Sequence, residues 1–143
     1  MLYKNNDKNP KLRTYKLFKL SPKFEPYLLL SSYKHRHAIS KFRTSSHHLA
    51  VETGRHHRPK PLPLQERLCT NCMVLEDELH HLIQCKCYDQ LRQQLFNVVL
   101  KYIPNFNNIN EVEQFQSIMR NPELELQAAL GNYLIKANDL RRS

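Results

Sequence analysis

A chain of 143 residues has room for one domain. Hydrophobic residues make up 41%, enough for a core, and two glycines against eight prolines exclude the many tight turns of a barrel or sandwich. The net charge of +9 sits at the front, where residues 1–60 hold 14 Lys/Arg against 3 Asp/Glu while residues 61–143 hold 8 against 10. Such asymmetry points to a polyanionic partner for the front, most often nucleic acid.

The start, MLYKNNDKNPKLR, has no apolar stretch of the secretory kind, and the longest apolar run, YLLL at 27–30, is far too short to span a bilayer. The expectation is an intracellular protein, nuclear or cytoplasmic, without a membrane partner. In a reducing compartment, close-set cysteines are more often metal ligands than disulfides.

In chain order, residues 1–20 read as a flexible, lysine-rich lead-in. Ser21 is placed to cap and Pro22 to open a helix, which Pro26 would limit. The stretch YKHRHAISKFRTSSHHL predicts an amphipathic helix over about 33–45. Ala38, Ile39, Phe42 and Leu49 form its apolar stripe, and Lys34, Arg36, Lys41 and Arg43 its basic outer face. AVETGRHHRPKPLPLQER follows, with Gly54 and three prolines, and reads as a basic extended connector.

Beyond Cys85 the pattern is helical. Tyr88, Leu91, Leu95, Val98, Val99 and Tyr102 recur at three- and four-residue steps, and Pro104 ends that helix. Asn110 with Glu113 reads as a cap and box partner, opening a short helix with Val112, Phe115 and Met119 inward. Asn121-Pro122 starts the last helix, with Glu123 and Glu125 in the first turn and Arg141 and Arg142 at the end, as the dipole favours. Leu126, Leu130, Tyr133, Ala137 and Leu140 form its buried stripe, and Gly131 marks a close helix crossing. The fold class is all-α: a small helical domain organised around one structural zinc site. It divides into the lead-in at 1–20, a basic segment and connector at 21–60, a zinc box at 61–90 and C-terminal helices at 91–143. Residues 21–143 form one compact unit.

The box is CTNCMVLEDELHHLIQC. A Cys-x-x-Cys turn brings the thiolates of Cys69 and Cys72 to one side of an ion, and a second segment must close the tetrahedron. Leu75, Leu79, Leu82 and Ile83 suggest a helical face from which a histidine would project, with Cys85 at or past the helix end. His80 lies five residues before Cys85, which suits a helix that stops short of it. His81 lies four before, which suits an unbroken helix, so spacing leaves the two histidines open. Cys87 is a further candidate. A closed site with four protein ligands is structural rather than catalytic.

The C-x2-C-x7-H-x4-C spacing, with its flanks ERLCTNC, EDELHHLIQC and YDQLR and the upstream HRHAISKFRTSSHHLAVETGRHHR, resembles the zinc-binding segment at the C-terminal end of non-LTR (LINE-like) retrotransposon reverse transcriptases. The resemblance runs from about His35 to Leu95. It implies that the ligands are Cys69, Cys72, His80 and Cys85. His81 falls where that family often has an aromatic, which favours His80. A departure is Lys86-Cys87, where a proline commonly follows the last ligand.

The paired aspartates of a polymerase are missing, since Asp7, Asp77, Asp89 and Asp139 are scattered. Glu76, Asp77 and Glu78 fit the first turn of the ligand helix better than a general base. No nucleophile–base pair is visible, so no catalysis and no small-molecule substrate are expected. The resemblance implies a detached tail that holds RNA or DNA, with Lys34, Arg36, Lys41, Arg43, Arg55, Arg58 and Lys60 contacting phosphates. The alternatives are an interaction domain that packs on a reverse transcriptase core, or a retroelement relic.

Overall fold

The computed structural model describes residues 14–19 and 25–142, so the cap expected at Ser21 and Pro22 lies outside the described residues. Six α-helices are placed among them: α1 (Tyr15–Phe18), α2 (Tyr33–Arg43), α3 (Ala50–Thr53), α4 (Asp89–Tyr102), α5 (Glu111–Arg120) and α6 (Leu124–Arg142). No strand forms there, and a single antiparallel bridge joins Leu68 to Leu75. The all-α expectation holds. No described helix is long and apolar enough to cross a membrane.

Helix α6 is the hub, packed along α2 on one side and α4 on the other. Its buried stripe is Leu126, Leu130, Tyr133, Leu134 and Ala137. Leu140, expected to extend that stripe, is 53% exposed, so burial stops one turn earlier than the periodicity predicts. Asn121 is extended, as the residue before a proline tends to be, and α6 begins two residues past Pro122.

Helix α5 opens as its capping residues require, since the Asn110 side chain accepts the Glu113 N–H at 2.9 Å. Phe115 and Met119 point inward, whereas Val112 is 38% exposed. Phe115 stacks edge-on to Phe18 and against Phe42, gathering α1, α2 and α5 around one aromatic centre. Phe18 therefore belongs to the core, although the lead-in reads as loose.

Two further expectations change. Helix α2 ends at Arg43 rather than near residue 45, because Ser45 turns into the left-handed region at φ 58°. The Ser46 N–H closes on the Lys41 carbonyl and the Ser45 N–H on that of Phe42, the two bonds of a Schellman ending. The connector is not extended throughout: it begins with α3, which continues into a 3-10 turn at Gly54–His56. Val51 in α3 is fully buried, and that burial selects helix there over the extended form suggested by the prolines downstream.

Gly131 sits where α6 crosses α2. A Cβ at that position would lie 2.8 Å from His35 Cβ and 3.0 Å from His35 Cα, so the two backbones are in near contact. Two effects oppose each other in Gly131→Ala. Helix propensity favours alanine by about 1 kcal/mol, while overpacking against main-chain atoms costs typically 1–3 kcal/mol. Sterics win because the His35 Cα cannot rotate away. Gly131→Ala should lower the melting temperature by several degrees, and a higher melting temperature would show that the crossing has room for a methyl group.

Candidate metal centre and basic surface

The box folds as two pieces that meet. In the first, the Leu68–Leu75 bridge is tightened by the Cys69 N–H on the Val74 carbonyl at 2.7 Å and the Met73 N–H on the Cys69 carbonyl at 2.8 Å. Met73 takes φ 56° to complete the turn, a conformation costly outside glycine. Leu75, expected on the ligand helix, is instead the second arm of this hairpin-like knuckle.

The second piece starts at Glu78, with Asp77 as its cap: the Asp77 carboxylate accepts the His80 N–H at 2.8 Å. From His80 to Gln84 the backbone is a π-helix, and the Cys85 N–H reaches the His80 carbonyl at 2.7 Å. This resolves the choice of histidine. A five-residue hydrogen-bonded step stacks residues i and i+5, so His80 and Cys85 share a face although an α-helix would pair His81 with Cys85. Single π-turns of this kind concentrate at functional sites.

The ligating atoms of Cys69, Cys72, His80 and Cys85 all lie within 4.8 Å of one another. Cys69 Sγ and Cys72 Sγ are each 3.9 Å from Cys85 Sγ. A tetrahedral ion with metal–sulfur bonds of about 2.3 Å requires sulfurs about 3.8 Å apart, whereas a disulfide would need about 2.05 Å. His80 is 2% exposed, and neither of its ring nitrogens has a hydrogen-bond partner among the described residues. A doubly orphaned buried imidazole is rare and costly, and a metal ion at one nitrogen would satisfy it. The residues present fit a metal. Cys87 is exposed and stands outside the group.

The electrostatics favour the ligand form at Cys72 and His80 and oppose it at Cys85. Burial pushes the Cys85 thiol upward, away from the thiolate a ligand needs, while the Lys86 backbone N–H draws Cys72 below the ordinary thiol value. Burial also lowers His80, keeping the imidazole neutral as a ligand must be. His81 has a different task. It is buried and held down to about 3, chiefly by burial, and its ring packs 5.0 Å from Tyr88 and 6.1 Å from Tyr133.

Several side chains that support the box are not evident from spacing. Arg92 of α4 is buried and donates from Nε to the Leu82 carbonyl at 2.9 Å and from Nη2 to the Cys85 carbonyl at 2.7 Å. It thereby satisfies the open end of the ligand turn. The only sequence signal was its place in YDQLR. The acidic run does stand at the start of the ligand helix, and all three carboxylates are buried there. Glu78 accepts from Thr14 and Ser45 at 3.0 and 2.8 Å and meets His47 Nε2 at 2.8 Å. Glu76 accepts the Ala50 N–H at 2.6 Å and pairs with Arg141 at 2.7 Å.

The seven expected phosphate contacts divide. Arg43 is not on an outer face: it is 5% exposed, bonded to Glu25 at 2.7 Å and to the Met119 carbonyl at 2.7 Å, and stacked 4.3 Å over Phe18. An arginine held this way is core structure. Arg36 braces the preceding turn through the carbonyls of Leu30 and Ser31, and Arg55 is paired with Glu52. Lys34, Lys41, Arg58 and Lys60 are exposed and enter no ion pair among the described residues.

Comparison of the chain with family models, with curated proteins and with solved structures returned no match.

The two histidines make the site testable. His80→Ala should abolish stoichiometric metal binding, because a three-ligand remnant leaves an open position. His81→Phe should keep one metal per chain, since an aromatic ring suits its surroundings of Tyr88, Tyr133 and Phe42. Metal analysis by mass spectrometry under native conditions decides it, and metal loss in His81→Phe with retention in His80→Ala would reverse the assignment.

Proposed function

We propose that the chain is a zinc-stabilised nucleic-acid-binding module, a counterpart of the C-terminal tail of non-LTR retrotransposon reverse transcriptases. Zinc is the ion because three thiolates and one imidazole in a closed tetrahedron suit a borderline-soft cation without geometric demands of its own. Three thiolates around a divalent cation leave one net negative charge, and Arg92 at the Cys85 carbonyl offsets it. In this reading the module binds and does not catalyse.

The observation that carries the nucleic-acid reading is that four of the expected phosphate contacts, Lys34, Lys41, Arg58 and Lys60, are exposed and enter no ion pair among the described residues, in a chain of net charge +9. Unpaired lysines and arginines are the groups that displace counterions from a phosphate backbone. They supply affinity without reading sequence.

A second reading rests on Leu28 and Leu29, adjacent on one 3-10 turn and 47% and 64% exposed. An exposed apolar pair fits contact with another protein, such as a polymerase core.

Salt dependence separates the two. Four phosphate contacts imply a slope of log affinity on log salt of roughly −3 on single strands and −4 on duplex. Replacing Lys34, Lys41, Arg58 and Lys60 with glutamine should remove nearly all of that slope and leave zinc content unchanged. A slope near zero in the unmodified protein retires the nucleic-acid reading in favour of the protein-contact one.

A further inference from the structure

A groove of about 530 Å³ runs between α2 and the C-terminal half of α6, a volume within the range of small-molecule-sized sites. Its floor is apolar, with Ala38, Phe42, Leu49 and Leu134 partly or wholly buried. Lys34 and Lys41 from α2 and Arg142 from α6 line it and are exposed. Arg141 also lines it but is committed to Glu76, and Asp139 is the single carboxylate among the lining residues. The cationic excess therefore sits at the mouth, over an uncharged interior.

A stacked pair of exposed rings lines the same groove. Tyr33 is 66% exposed, and the exposed His37 stacks on it with ring centroids 5.4 Å apart and planes 18° from parallel. An inorganic anion would use the cations and leave the rings and the apolar floor in water. A flat aromatic group attached to phosphate would use all three.

We propose that this groove takes an unpaired base of single-stranded nucleic acid, stacked at Tyr33 and His37, with Lys34, Lys41 and Arg142 on the flanking phosphates. The assignment rests on the nucleic-acid reading above and adds strand state to it. In a duplex the bases are stacked on each other and their faces are closed, so a concave aromatic site admits only bases that are splayed out. Stacking on an aromatic side chain is sequence-tolerant, so the module should prefer single strands without preferring a sequence.

The test uses the full chain with its metal bound and two RNA probes of equal length, one unstructured oligouridine and one blunt duplex. Fluorescence anisotropy at fixed salt should give at least about fivefold tighter binding to the single strand. Tyr33→Ala should weaken single-strand binding by about 5- to 150-fold, the loss of one stacked base. Its duplex binding and salt slope should be unchanged. Tyr33→Phe should restore the affinity, and Ile135→Trp, which narrows the groove from α6, should reproduce the alanine defect. Each variant is checked for one metal per chain and for an unchanged melting temperature. Salt-dependent binding that is equal for both probes and indifferent to Tyr33→Ala would overturn the groove while leaving the nucleic-acid reading intact. Absence of binding to either probe would overturn both.

Discussion

The ligand turn depends on one backbone hydrogen bond, from the Cys85 N–H to the His80 carbonyl. It widens the helix by one residue and places an imidazole and a thiol on the same side. The knuckle carrying Cys69 and Cys72 then needs only to reach that side, and the Leu68–Leu75 bridge holds it there. Four buried or half-buried ligand groups with no ion among them would leave a desolvated imidazole without a partner and thiols crowded together. A metal ion bound there would turn an unfavourable cluster into a cross-link of the box.

The rest of the domain is built onto that cluster. Arg92 ties α4 to the carbonyls that end the ligand turn, and Tyr133 of α6 donates its hydroxyl to the His81 carbonyl. The three consecutive carboxylates radiate outward: Glu76 to α3 and the end of α6, Asp77 to the ligand turn itself, Glu78 to Thr14, Ser45 and His47. The left-handed Ser45 has a reason in this network. Glycine would suit the backbone better, but only a hydroxyl there reaches the buried Glu78 carboxylate. Local strain is exchanged for satisfaction of a buried charge.

Helical periodicity located α4, α5 and most of α6, and Gly131 marked the crossing with α2, because apolar spacing and capping residues act within a few residues of each other. Cysteine spacing located the three thiols that cluster for the same reason. The choice between His80 and His81 lay beyond it, since a π-turn is decided by a main-chain bond that leaves no 3.6-residue signature. Arg43 misled because its partners are Glu25 and the Met119 carbonyl, 18 and 76 residues away, and charge alone placed it on the surface. The same blindness to long-range pairing hid Arg92, whose carbonyl partners belong to a different element.

A metal bound at the cluster would order residues 67–85, whereas α4 and α6 pack directly on each other. Structural zinc supplies roughly 10–16 kcal/mol of apparent binding energy in small fingers, comparable to a whole domain's net stability of about 5–15 kcal/mol. The most direct measurement is amide hydrogen exchange before and after a strong chelator, followed at Cys69, Met73, His81 and Cys85, whose N–H groups close the knuckle and the ligand turn. The account predicts that these four lose protection by orders of magnitude, while the buried centres of α4 and α6 around Val99 and Leu130 keep more of theirs. Unchanged exchange at all four amides after the metal is removed would contradict it.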